Sequence, residues 1–466
     1  MKPLYRQVAA EIVKHIEQGV YAPGERLPGV RSLARTRGVS TATVVSSYQL
    51  LADEGYLESR PRSGFYVRAR QTHQIEPNPT AKATPPRLVT GQEMAMALIK
   101  ASNDPGIVQL GAAVPDPSFL PTRAIGRALS QVMRTDRLQA SAYMMPPGAT
   151  ELRRQISKRL RESGTTVSPD EIVITTGCQE ALSLALRAVT QTGDVVAVES
   201  PAFYGLLHVL ESLGLEALEI PAHPSEGISI DALRFALERW PVKACVVSPN
   251  VSNPLGYCMT NDNKIALVHL LGKHEIPLIE DDVYGELGYS GRRLSSCKGL
   301  APEADILYCS SFSKSLSPGL RIGWIAAGRY HERVEYLKYV SSIASPTAPQ
   351  LAVAELLASG RYERYLREVR GKYQSAVARM SDAVTTMFPE GTRISKPQGG
   401  FLLWVELPEG TDSMALARRA LRSGVSVAPG PLFSASGKFE NFMRLSCARI
   451  WDTRLERALL ALAKLV

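Results

Sequence analysis

One lysine set among five serines marks the stretch of this sequence best equipped for covalent chemistry: Ser310-Ser311-Phe312-Ser313-Lys314-Ser315-Leu316-Ser317-Pro318-Gly319-Leu320-Arg321-Ile322-Gly323. Apolar runs flank it, Ile306-Leu307-Tyr308-Cys309 before and Ile322-Gly323-Trp324-Ile325-Ala326 after. Both read as short buried strands. A lysine held between core strands loses hydration. Its pKa falls, and its lone pair becomes free to attack a carbonyl and form a Schiff base. The serine hydroxyls and Arg321 suit a phosphate, as neutral donors beside one forked cation. A nucleophilic lysine next to a phosphate cup is how pyridoxal 5′-phosphate (PLP) is held. The same residues also describe a serine-rich loop with an exposed lysine, so partners elsewhere in the chain must decide.

Upstream, Ile276-Pro277-Leu278-Ile279-Glu280-Asp281-Asp282-Val283-Tyr284 is an apolar strand that ends in carboxylates and then a tyrosine. A pyridine ring works as an electron sink only while a carboxylate keeps its nitrogen protonated. Asp281 and Asp282 are both placed for that role, and both also fit a solvated strand end or a helix N-cap. The ring's phenolate oxygen needs donors, for which Tyr284 and Asn253 in Asn253-Pro254-Leu255-Gly256 are candidates.

Together these segments resemble the fold-type I PLP enzymes, the aspartate aminotransferase superfamily, over most of residues 105–450. Ser311 to Gly323 match its S-x-S-K-x-x-x-P-G-L-R-x-G block, which includes Ser313 and Arg321 and implies Lys314 as the Schiff-base lysine. Asp281 and Tyr284 match the D-x-x-Y block and imply Asp281 on the ring nitrogen. The N-P-x-G asparagine is Asn253. Thr176-Gly177-Cys178-Gln179-Glu180-Ala181-Leu182 resembles the phosphate-binding turn, and Phe203 falls where an aromatic ring stacks on the cofactor. The resemblance further implies that Arg444 grips a substrate carboxylate. It also implies that Tyr143 reaches the cofactor phosphate of a neighbouring subunit, and hence a homodimer.

With 466 residues, two or three domains are expected. An apolar content of 45% and a charged content of 21% are those of a soluble globular chain. No apolar run reaches the ~18 residues of a membrane span, and Met1-Lys2-Pro3-Leu4-Tyr5 does not open a secretory apolar run. The six cysteines are scattered and read as reduced core residues, so a cytoplasmic location is expected. The histidines show no paired spacing, and no metal site is expected.

Charge points to a second function. Residues 1–70 hold eleven Lys/Arg against six Asp/Glu, a net +5 within the +9 of the whole chain, which favours a polyanionic partner. Leu4, Val8, Ile12 and Ile16 predict an amphipathic helix. Val30, Leu33 and Ala34 mark a second, closed by Gly38. Ser40 caps a third that turns Val44, Tyr48 and Leu51 inward and Thr41, Ala42 and Thr43 outward. Gly55-Tyr56-Leu57 and Gly64-Phe65-Tyr66-Val67 bracket a basic tip, Arg60-Pro61-Arg62-Ser63. This order is that of a winged helix-turn-helix, whose third helix enters the major groove. The segment resembles the GntR-type DNA-binding domain through Pro23-Gly24-Glu25-Arg26-Leu27-Pro28, Arg31, Leu33-Ala34, Gly38-Val39-Ser40, Thr43-Val44 and Gly55-Tyr56-Leu57. It departs at Thr41 and Val45, where that family often carries arginine. Duplex DNA contacts are therefore expected from Arg31, Ser40, Thr41, Thr43, Arg60 and Arg62, with Arg35 and Arg37 adding affinity.

The proline-bearing stretch after the hairpin reads as a semi-stiff linker. Expected domains are 1–70, winged helix; 71–95, linker; and 96–466, the aminotransferase-like body. In the body, strands at 172–175, 195–199, 244–248 and 277–281 alternate with helices at 178–190, 203–213 and 261–273. That pattern predicts an α/β fold with a mainly parallel sheet covered on both faces and ligands at the strand carboxyl ends. A helix over 351–380 and a strand over 401–406 open a smaller α/β lobe.

A winged helix joined to an aminotransferase-like domain resembles the MocR-type subfamily of GntR regulators. This implies a PLP-dependent DNA-binding transcriptional regulator that senses an amino acid or amine. A working aminotransferase that keeps a DNA module is the rival expectation, and a PLP-free scaffold a third.

Overall fold

The computed structural model describes residues 3–17, 21, 24–53, 56–60, 63–67, 76–77, 85–89, 96, 100, 104–291 and 293–466. They fall into two compact units, 1–74 and 75–466.

In the first unit α1 (Leu4–Glu17) buries Val8, Ala9 and Ile12. Leu4, expected inward, is 52% exposed, because it opens the helix a full turn ahead of the packed face; the Ile16 side chain lies outside the described residues. Helix α2 (Val30–Arg37) ends at Gly38, whose φ of 65° lets its N–H reach the Ala34 carbonyl. Helix α3 (Thr41–Asp53) starts where Ser40 Oγ accepts from the Thr43 N–H at 3.1 Å. Val44, Tyr48 and Leu51 are buried as the periodicity predicts, and the Tyr48 hydroxyl donates to the Pro28 carbonyl at 2.7 Å, which ties α3 to the turn before α2. Strands β1 (Leu57–Arg60) and β2 (Gly64–Val67) pair antiparallel as the wing. Pro61 and Arg62 at its tip lie outside the described residues.

The second unit is built on a nine-stranded sheet among the described residues. Its strands are β3 (Arg87–Leu88), β5 (Ile172–Thr175), β6 (Val195–Ser200), β7 (Glu216–His223), β8 (Gly227–Ile228), β9 (Val242–Val247), β10 (Leu278–Asp281), β11 (Ile306–Ser311) and β12 (Gly323–Ala326). The order is β3-β7-β6-β9-β10-β11-β12-β5, with β8 paired to β7. Strands β7, β6, β9, β10 and β11 run parallel, whereas β12 is antiparallel to both its neighbours. Every residue of β5, β6 and β11 is buried, which is why these strands read as continuous apolar runs rather than alternating ones. Helices Cys178–Val189, Tyr204–Ser212 and Asn261–Lys273 stand where the alternation predicts. Arg87–Leu88, from the expected linker, pair with β7 at the sheet edge.

The helix expected over 351–380 is two, Thr347–Ala358 and Arg361–Met387. They break at Gly360, whose φ of 68° no continuous helix accepts. The smaller lobe is an antiparallel sheet of β13 (Arg393–Ile394), β14 (Leu402–Glu406), β17 (Phe442–Ser446) and β16 (Ala428–Pro429) in that order. A parallel pair, β4 (Val108–Gln109) with β15 (Val425–Ser426), binds the start of the body to this lobe. The chain then crosses as an irregular strap, Gly111–Val114, toward the large sheet's carboxyl edge.

Candidate functional site

The carboxyl ends of β10 and β11 open into a cavity of about 240 Å³. Lys314, Asp281, Tyr284, Asn253, Phe203, Cys178, Gln179, Ser311, Ser313 and Arg321 all line it. Ten residues drawn from five separate segments of the sequence thus meet at one place, the topological position where open α/β sheets bind ligands.

Lys314 follows β11. Its Nζ donates to the Ala113 carbonyl at 2.6 Å. Burial, with Arg444 and Arg321 nearby, pushes its amine down to about 8, so a useful fraction is neutral and nucleophilic near neutral pH. Asp281 ends β10. Burial pushes its carboxyl up to about 6, against a Cys178 thiol at 3.6 Å and the Val283 N–H at 3.3 Å. Tyr284 is 6% exposed, and its hydroxyl is buried without a hydrogen-bond partner.

The neighbouring Asp282 settles which carboxylate faces the cavity. Side chains alternate across a strand, and Asp282 points the other way, into a buried network. It accepts from the Tyr308 hydroxyl, from Arg293 Nη2 at 3.0 Å and from Asn250 Nδ2 at 3.3 Å. Arg293 also pairs with Glu286, which binds Arg159 at 2.9 Å. Every charge in that chain is balanced, so it is scaffold; Asp281 has no such cation and faces the cavity.

The cup beside Lys314 is made of backbone. Gly177, with φ 87°, precedes the 178–189 helix with no side-chain cap, leaving first-turn N–H groups for an anion. A Cβ at Gly177 would stand 2.4 Å from Arg321 Nη2, so only glycine admits the guanidinium. Arg321 is held by the Thr176 carbonyl at 2.8 Å and Ser313 Oγ at 3.5 Å. Gln179 spends its amide on the Gly205 carbonyl at 2.8 Å, so only its backbone serves the cup. Of the five serines, Ser310 bonds the Asp282 carbonyl and Ser315 the Tyr362 hydroxyl; Ser311 and Ser313 face the cavity.

Arg444 is fully buried on β17, next to the cavity. Its Nη1 donates to Asn253 Oδ1 at 2.9 Å and its Nη2 to the Gly111 carbonyl at 2.6 Å, while Nε is unpartnered. Because the asparagine oxygen serves Arg444, its Nδ2 remains a donor. The strap is thus held by two site residues, Arg444 on Gly111 and Lys314 on Ala113, and by Arg449 on Val114 at 2.9 Å. Sequence reasoning missed the strap, whose Gly-Ala-Ala-Val run carries no functional group; it acts through carbonyls alone.

These residues fit PLP. The cup would take its phosphate, the unpartnered Tyr284 hydroxyl and Asn253 amide would face a ring oxygen, and Asp281 would face the ring nitrogen. Bound PLP supplies an electrophilic carbonyl and an electron-withdrawing ring. Tyr143 does not line this cavity; its ring is 76% exposed.

On the N-terminal unit Arg31, Arg35, Ser40, Thr41 and Arg60 are exposed. Arg37 is tied to Glu11 at 2.8 Å, and Arg60 lies 4.3 Å over the Tyr66 ring. The Thr43 hydroxyl is engaged with Ser40 Oγ at 2.8 Å. Arg62 lies outside the described residues. Among the described residues no helix is long and apolar enough to cross a membrane.

Residues 107–462 match the model of aminotransferase class I and II, and residues 4–67 that of bacterial regulatory proteins of the gntR family. The chain is 40% identical over 444 residues, 95% of its length, to 94% of an uncharacterized HTH-type transcriptional regulator, YjiR, of Escherichia coli. It is 26% identical over 92% of its length to 86% of the probable rhizopine catabolism regulatory protein MocR of Rhizobium meliloti. Among solved structures, the Pyrococcus horikoshii kynurenine aminotransferase, in complex with PMP, matches 81% of this chain and 94% of its own at 30% identity, with a TM-score of 0.74. A gntR-family module and a class I and II aminotransferase domain in one chain, shared with such regulators over nearly its whole length, place this protein in the MocR-type subfamily of GntR transcriptional regulators.

Proposed function

We propose that this regulator binds duplex operator DNA in the cytoplasm as a homodimer, through a winged helix over residues 1–70, and that a PLP site in residues 96–466 senses an amino acid or amine. Of the expected linker, 71–95, the part ahead of Arg87–Leu88 makes the connection, since Arg87–Leu88 pair with β7 of the body. Lys314 and Asp281 are the reactive pair, with Tyr284, Asn253, Phe203, Gly177, Cys178, Gln179, Ser311, Ser313 and Arg321 holding the cofactor and Arg444 the effector carboxylate. Exposed Tyr143 reaches the partner subunit's site. The observation that carries this reading is that Lys314 and Arg444 both hold the strap, on Ala113 and Gly111. Lys314 serves either the strap or the cofactor, and Arg444 either the strap or a carboxylate. Filling the site therefore changes how the strap is tethered, and the strap joins the small lobe to the large sheet. A homodimer presents two winged helices to two half-sites, so a change in body geometry alters their fit.

The test is operator affinity with and without an amine that shifts the PLP absorbance, in the wild type and in Lys314→Ala. A coupling of ~1–3 kcal/mol, roughly 5- to 150-fold, is expected in the wild type and none in the variant. Equal wild-type affinities at saturating amine would remove the sensor reading. A second reading, turnover as an aminotransferase, is favoured by the intact Lys314–Asp281 pair and the likeness to the kynurenine aminotransferase. Fast multiple turnover with an amino donor and a keto-acid acceptor would establish it.

A further inference from the structure

The exposed face of α3 carries no cation. From Thr41 to Asp53 the helix contains neither lysine nor arginine. At about 3.6 residues per turn, Thr41, Ala42, Val45, Ser46 and Gln49 share one side of it, and all five are exposed, Val45 at 37%. The opposite side is the buried one, with Val44, Ser47, Tyr48 and Leu51. Thr43 is committed to the cap with Ser40. The cations of the unit lie elsewhere: Arg31 and Arg35 are exposed on α2, and Arg60 lies on the wing.

In the major groove a guanine is read mainly by the forked or point cation of arginine or lysine on O6 and N7. Adenine is read by a Gln or Asn amide on N6 and N7, and thymine by apolar contact with its methyl group. Helix α3 offers two methyl-bearing surfaces, Ala42 and Val45, the methyl of Thr41, and one amide, Gln49. It offers nothing for the commonest guanine contact. Arg31 and Arg35 sit on the preceding helix, which crosses the backbone in this motif, where phosphates are the abundant partners of a cation.

We propose that α3 reads an A·T-weighted core in each half-site, with Val45 and Ala42 on thymine methyls and Gln49 on an adenine, while affinity comes from arginines off the helix. This rests on the DNA-binding reading above and specifies its partner.

The experiment is selection of duplexes from a random pool by the full-length protein, repeated with Val45→Arg and Gln49→Ala, with a salt titration of pool binding alongside. Both positions are exposed, so folding should be retained, and thermal melting checks it. The positions whose preference changes in the variants define the bases under α3. We expect the wild type to select A·T there, Val45→Arg to convert one of them to G·C, and Gln49→Ala to lose about 5- to 150-fold discrimination at one adenine. Wild-type selection of G·C at those positions would overturn the inference while leaving DNA binding intact. So would salt-sensitive binding with no preference that either variant alters. Absence of any salt-sensitive binding would take down the DNA-binding reading itself, and this one with it.

Discussion

In the N-terminal unit the side chains assigned to function stand in solvent: Arg31, Arg35, Thr41 and Val45 lie on the outer faces of α2 and α3, while Val44, Tyr48 and Leu51 hold the core. In the body Tyr284 and Arg444 are buried and Lys314 and Asp281 are half-buried in the cavity wall, and desolvation displaces the pKa values of Lys314 and Asp281 in opposite directions, down to about 8 and up to about 6. The difference follows from what each unit recognises. Phosphates and base edges are met on an exposed, solvated face. A nucleophilic lysine and a proton-holding carboxylate require a site that desolvates them, so their environment is part of their chemistry. Function and stability should therefore separate cleanly in the first unit and be entangled in the second.

The sharpest way to break this contrast is at adjacent carboxylates. Asp282→Ala should destabilise the body by about 3–5 kcal/mol, because it leaves the buried Arg293 and Tyr308 short of a partner. Asp281→Asn should do the reverse in the cofactor-free chain. The folded state raises the Asp281 pKa to about 6, so the stability that this carboxyl contributes is present below its unfolded value near 4 and is lost as pH rises through 6. The asparagine variant should thus exceed the wild type by roughly 1–3 kcal/mol at pH 8 and by nothing below about pH 4. Denaturant melts at the two pH values decide it; a destabilised Asp281→Asn would mean that Asp281 is scaffold as well.

Lys314 sharpens the same comparison through kinetics. With an amine at about 8, the rate of covalent PLP attachment should climb tenfold per unit below that pH and level off above it, as the neutral amine does. Borohydride should fix the cofactor to Lys314. A profile that levels off only near pH 10 would mean an exposed, ordinary lysine.

The smallest effect is expected at the DNA face. Arg35→Ala should leave thermal stability within about 0.5 kcal/mol and lower the log–log salt slope of DNA binding by about one. Removing Arg37 by the same change should also disturb the Glu11 pair, so a larger loss of stability there than at Arg35 would support the division of labour between the two arginines.

Much of this molecule could be read without coordinates. Apolar periodicity placed α1 to α3, because burial repeats with the helical period, and short apolar runs alternating with helices placed the strands from 172 to 281, because both faces of that sheet are covered. The spacing of Lys314, Arg321, Asp281, Tyr284 and Asn253 named the cavity lining, since backbone turns that cradle a phosphate demand particular residues at particular positions, as Gly177 does under Arg321. Residue chemistry alone offered Asp281 and Asp282 as a pair, and only the D-x-x-Y resemblance pointed to Asp281. The pleat of β10 chose between them by turning one toward Arg293 and the other toward the cavity. Nor could sequence show that Arg37 is paired, that α1 leaves Leu4 exposed, that the helix near 360 is two, or that Lys314 and Arg444 share a strap with no side-chain signature of its own. Local chemistry is written in residue type and spacing. Which carboxylate is desolvated, which arginine is free and which carbonyl a lysine meets depend on contacts between residues far apart in the chain, 333 positions in the case of Gly111 and Arg444, and only the packed chain brings those together.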